Sequence, residues 1–128
     1  MTRFLLDTCA FIWIVEGAGL PPRVVDMVRA PDHDVYLSAA SCWEIATKHA
    51  LGRLGLADRP ERLVPSEREK HGIAALSLDE ESALQVARLP RLHRDPFDRL
   101  LVAQAIVHGL TILTPDREIA KYQVRTIW

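Results

Sequence analysis

The chain has 128 residues, 48% apolar and 26% charged, with 16 Lys and Arg against 17 Asp and Glu. That length fits one domain with a real core, and that balance excludes wholesale disorder. A net charge of -1 excludes a generally basic surface, so any polyanionic partner must be held by a local feature. Phe4-Leu5-Leu6 reads as a short buried strand stopping at Asp7. A helix follows from Thr8 to about Glu16, with Gly17 and Gly19 as stop signals. Pro21-Pro22 opens a second helix, whose Val24, Val25, Met27 and Val28 suit one buried face. Asp32-His33-Asp34 is a turn, and Val35-Tyr36-Leu37 a second strand. Ser38 or Ser41 caps a helix running to about Leu51, ended by Gly52.

The polar stretch 52–72 predicts a helix near 60–71, read as a solvated face rather than an RNA clamp. Ile73 to Leu78 is the third strand, and Asp79 caps a helix from Glu80 to about Arg88. A basic linker leads to Asp95-Pro96, where another helix begins with proline at its first position and runs to His108. Thr111-Ile112-Leu113 is the fourth strand, Arg117 to Tyr122 a short helix, and Val124 to Trp128 the fifth strand. Strands alternating with helices predict an α/β fold, a sandwich with a mostly parallel central sheet of about five strands. One domain is expected across 1–128.

Cys9 and Cys42 make neither a disulfide framework nor a zinc spacing, so two reduced, buried thiols in a cytoplasmic protein are expected. The apolar run from Cys9 to Val15 is far short of the ~20 residues that span a bilayer. Asp7 and Glu16 break up the first sixteen residues, against a secretory leader and against membrane association.

In an open parallel sheet, ligands bind beyond the carboxyl ends of the strands. Asp7 follows strand one directly, and Asp116 lies just past strand four. Asp98 sits in the first turn of a helix, and Glu44, on the helix after strand two, can lean back toward the same edge. Each acid also has a structural reading. Asp7 and Asp116 suit helix caps, Ser41-x-x-Glu44 matches a capping box, Glu44 and Lys48 are an i,i+4 pair, and Asp98 complements a helix dipole. Four carboxylates brought to one partly desolvated edge repel one another, and a divalent cation removes that cost. Oxygen donors without Cys or His indicate Mg²⁺, with Mn²⁺ as a substitute. Such a site can activate water against a phosphodiester.

Leu5-Leu6-Asp7-Thr8, Ser38 to Lys48, His93 to Ala105 and Leu113-Thr114-Pro115-Asp116 together resemble the motif blocks of PIN-domain ribonucleases, closest to the VapC toxins of toxin–antitoxin systems. The ending Tyr122 to Trp128 is similar to that branch as well. The resemblance implies a three-layer PIN-like sandwich and a Mg²⁺- or Mn²⁺-dependent endoribonuclease. Asp7, Glu44, Asp98 and Asp116 fall on its catalytic, metal-binding quartet, and Thr114 on its helper hydroxyl. It further implies an RNA substrate, a cognate antitoxin and a homodimer. Cys42 and Ile119 depart from the pattern, away from the quartet.

The residues around the quartet carry two readings each. Asp95 suits a cap before Pro96, or a metal ligand. His93 is read as a lone solvated ring, or a contact to metal or phosphate. Arg88, Arg91, Arg94 and Arg99 form either a solvated linker or a basic rim holding an RNA backbone, and Arg117 contacts a phosphate or an acid. Trp13 and Trp43 pack into the core or offer a partner surface. The rival function is a non-catalytic or regulatory binding module, receiver-like, with an acidic metal site. A receiver would show paired acids after strand one and a late lysine; here Asp7 stands alone. An Asp-nucleophile phosphatase would need Asp-x-Asp, whereas the chain reads Asp7-Thr8-Cys9.

Overall fold

The structure, a computed structural model, describes residues 2–128; Met1, part of the rejected leader reading, lies outside them. Its elements in chain order are β1 (Arg3–Leu6), α1 (Thr8–Glu16), α2 (Pro22–Arg29), β2 (Asp34–Ser38), α3 (Ala39–Ala50), α4 (Pro60–Lys70), β3 (Ala74–Leu76), α5 (Glu80–Gln85) with a 3-10 turn Val86–Arg88, α6 (Pro96–His108), β4 (Thr111–Leu113), α7 (Arg117–Ala120) and β5 (Thr126–Ile127).

The sheet is wholly parallel, in the order β3-β2-β1-β4-β5. Successive strand residues face opposite sides, and both sides are apolar, as in a sheet covered twice. Phe4, Leu6, Val35, Leu37 and Leu113 face one layer with Phe11, Ile14, Val24, Ile45 and Val64 of α1 to α4. Leu5 and Ile112 face the other, with Leu101, Val102 and Ala105 of α6 and Ile119 of α7. Each fully buried side chain of this kind contributes about 1.5–3 kcal/mol. The expected three-layer sandwich is therefore present.

Caps set most helix boundaries. Asp7, Ser38, Asp79, Asp95 and Asp116 each accept a backbone N–H of the helix that follows. Gly17 ends α1 in the left-handed region at φ 78°, which a glycine adopts without steric cost. Three boundaries differ from expectation. β3 is Ala74–Leu76 rather than Ile73 to Leu78, and β5 is Thr126–Ile127 rather than Val124 to Trp128. Both are edge strands whose single partners offer only short ladders. α7 stops at Ala120, and Tyr122 turns into the second apolar layer. Cys9 and Cys42 are half-buried thiols rather than fully buried ones. Among the described residues no helix is long and apolar enough to cross a membrane.

Candidate active site

Strand order reverses at β1: β2 and β3 lie to one side of it, β4 and β5 to the other. The crevice beyond the carboxyl ends of β1 and β4 is thus the topological switch point, where such sheets bind ligands. Leu6 pairs with Leu113, so the next residues on each strand, Asp7 and Thr114, emerge side by side. Both are buried. The Thr114 hydroxyl donates to Asp7 Oδ2 and accepts the Asp116 N–H at 3.0 Å, tying two of the acids together. Asp7 Oδ1 caps α1 through Ala10 N at 2.7 Å. Burial pushes the Asp7 carboxyl above its usual range and Asp116 adds to this, against the hydrogen bonds from Thr114 and Ala10.

Glu44 is reached from α3. Ser38 caps that helix, so the Ser41-x-x-Glu44 capping box does not form. Ser41 is instead buried 3.0 Å from the Thr8 hydroxyl, which donates to Glu44 Oε1 at 2.6 Å. Lys48 pairs with the other Glu44 oxygen, as the i,i+4 spacing predicts. On α6, burial and then Asp95 push the Asp98 carboxyl up to about 7; His93 pulls it down, and Asp116 and Glu44 raise it further. The acids of four separate elements therefore feel one another's charge. Cys9 Sγ lies 3.2 Å from Asp7 Oδ1, and burial beside those carboxylates pushes its thiol far up, so it is no nucleophile at neutral pH.

The donor set suits a hard divalent cation: carboxylates that feel one another's charge, two of them unfavourably ionised, with Lys48 as partial compensation and His93 as a hydrogen-bond partner. Yet among the described residues no three His, Cys, Asp or Glu side chains stand as a ready ligand group. Each of the four acids holds partners within the protein. Asp7 is turned to Ala10 and Thr114, Glu44 to Thr8 and Lys48, Asp98 to His93, and Asp116 to the Glu118 N–H at 2.8 Å.

The family model of the PIN domain matches residues 4–124. The chain belongs to the PIN domain family. Solved structures agree on the fold. VapBC2 from Rickettsia felis, bound to promoter DNA, is similar at TM-score 0.76 and 10% identity over 98% of each chain. FitAcB from Neisseria gonorrhoeae is similar at TM-score 0.62 and 25% identity, covering 98% of this chain and 96% of that one. VapBC-5 from Mycobacterium tuberculosis, of the VapBC family of toxin–antitoxin systems, gives TM-score 0.61 and 20% identity over 99% and 98%. No curated protein matches.

Around this PIN fold's acidic edge, several side chains stand differently from the sequence reading. Asp95 is the cap it was expected to be, accepting Phe97 N at 2.9 Å. His93 is not a solvated ring. It is largely buried, with Nε2 3.2 Å from Asp98 Oδ2 and Nδ1 2.8 Å from the Tyr122 hydroxyl. Arg99 spends its donors on Pro90 O, Val86 O and the Tyr122 hydroxyl, whereas Arg94 and Arg117 are exposed. Trp13 packs against Trp128, but Trp43 is 59% exposed and, among the aromatic rings of the described residues, meets only that of Phe97, edge-on at 5.2 Å. Thr8, Ser41, Tyr122 and Lys48 were not singled out in advance as site residues. The i,i+4 spacing pointed to Lys48 alone, because Thr8 reaches Glu44, Ser41 reaches Thr8 and Tyr122 reaches His93 only across the fold.

Proposed function

We propose that the chain is a Mg²⁺-dependent endoribonuclease, with Mn²⁺ as a substitute, acting as the toxin of a toxin–antitoxin pair. What supports this reading is the PIN family match together with the charge that Asp7, Glu44, Asp98 and Asp116 exert on one another, with the carboxyls of Asp7 and Asp98 driven upward. Those four residues would hold one or two ions. When bound, the metal supplies Lewis acidity that makes water nucleophilic at neutral pH and offsets charge on the departing oxygen.

The chain's own residues do the rest. Thr114 aims Asp7 and the Asp116 backbone, and Thr8 and Lys48 hold the two oxygens of Glu44. Arg94 and Arg117, exposed beside the acids in sequence, are free to hold phosphates of an RNA backbone; Arg99 would act from its inward position by shaping that rim. Water attacks phosphorus in line, the bond to the 3′-oxygen breaks, and the products are a 5′-phosphate and a 3′-hydroxyl. No side chain is needed as nucleophile.

The same reading gives it a cognate antitoxin, as the name of the VapBC family of toxin–antitoxin systems suggests, with a cytoplasmic setting and a homodimeric state as further expectations. Asp7→Asn keeps the Thr114 and Ala10 contacts within reach and removes one anionic donor. It should lower RNA cleavage at least a hundredfold by ~3 kcal/mol or more of lost transition-state stabilisation, with an unchanged circular dichroism spectrum. Cleavage by this variant at the wild-type rate refutes the assignment.

A further inference from the structure

Three side chains from separate places converge behind Asp98. His93 comes from the linker before α6, Arg99 from its first turn, and Tyr122 from beyond α7. Donor and acceptor chemistry gives their hydrogen bonds one directional order when the His93 ring is neutral and accepts at Nδ1. The Arg99 guanidinium can only donate, so at 3.0 Å the Tyr122 oxygen accepts from it. The single Tyr122 hydroxyl proton is then available to His93 Nδ1, 2.8 Å away. A neutral ring accepting at Nδ1 carries its proton on Nε2, which faces Asp98 Oδ2 at 3.2 Å. Arg99 is itself anchored by Pro90 O at 2.9 Å and Val86 O at 3.3 Å. Tyr122 is buried in the apolar layer, and its ring meets that of His93 edge-on at 5.4 Å.

We infer that Arg99, Tyr122 and His93 form a directional hydrogen-bond relay that positions the Asp98 carboxylate for a divalent cation. This rests on the metal-site reading above and adds to it three positioning residues, two of which had been assigned to the surface or to RNA. The relay leaves Asp98 Oδ1 without a protein donor among the described contacts, while Oδ2 is held from behind. Outer partners of this kind typically change metal affinity by about 10–100-fold when removed.

The experiment measures Mn²⁺ affinity by calorimetry and the His93 ring tautomer by nitrogen NMR of the metal-free protein. The proteins are wild type, His93→Ala, His93→Gln, Tyr122→Phe and Asp98→Asn. The expected wild-type ring is protonated on Nε2. Tyr122→Phe keeps the buried ring, loses the tautomer preference and weakens Mn²⁺ binding about tenfold. His93→Ala weakens it at least as much, and His93→Gln, whose amide can still donate to Asp98, restores most of it. A wild-type ring protonated on Nδ1 overturns the relay, as does unchanged Mn²⁺ affinity in both His93→Ala and Tyr122→Phe. Asp98→Asn separates the two claims. If it binds Mn²⁺ like wild type, the metal role of Asp98 falls, and the tautomer with its response to Tyr122→Phe still decides whether the relay exists.

Discussion

Burial and the charges of Asp95, Asp116 and Glu44 push the Asp98 carboxyl up to about 7, and burial raises Asp7 in the same direction. A carboxyl raised in the folded state binds more protons there than in the unfolded chain. Its contribution to stability is fully present below the unfolded value of 3.8 and is lost as pH rises through about 7. Metal-free Asp98→Asn should therefore be more stable than wild type at about pH 8, by at most ~4 kcal/mol, and the advantage should vanish near pH 4. Denaturant titrations at the two pH values check this; a variant no more stable at the higher pH contradicts the account. Asp7, Asp98 and Asp116 could be singled out in the sequence because each follows a strand or opens a helix, and Glu44, inside α3, because a helical side chain leans back toward the strand end. His93 was not, because a histidine in a linker carries no periodicity and its partner Tyr122 lies 29 residues further along.

At the scale of elements, Gln104 joins α6 to two other segments. It is fully buried, accepts from the Ser38 hydroxyl and donates to Ser77 O at 3.0 Å. It thereby fixes the carboxyl end of β2, from which α3 carries Glu44. Gln104→Leu would leave the buried Ser38 hydroxyl proton unpaired and remove the donor to the Ser77 carbonyl, at a cost of about 1–3 kcal/mol. A loss below ~0.5 kcal/mol in equilibrium unfolding would show that those groups find other partners. Helix starts were readable because Asp7, Asp79, Asp95 and Asp116 are written as caps. The choice between Ser38 and Ser41 was not, since both precede the same apolar run and only the packing of α3 on α1 sends Ser41 to Thr8. The edge strands were read too long because apolar alternation does not record where a ladder partner ends.

Over the whole molecule, a net charge of -1 gives no hint of a nucleic-acid partner. The proposed site would supply what the average conceals: acids from four elements that feel one another's charge, and Arg94 and Arg117 exposed to solvent. Cations that bind there stabilise the folded chain by mass action, so Mn²⁺ at about a hundred times its dissociation constant should add ~2.7 kcal/mol to wild type. Thermal unfolding should register this in wild type and much less in Asp7→Asn; equal shifts in both would place the ion elsewhere. The most direct measurement follows RNA cleavage by purified protein stripped with EDTA and then supplied with Mg²⁺ or Mn²⁺. The account predicts no cleavage in EDTA, recovery with either ion, and no recovery in Asp7→Asn. Cleavage that persists in EDTA, or that neither ion restores, contradicts it.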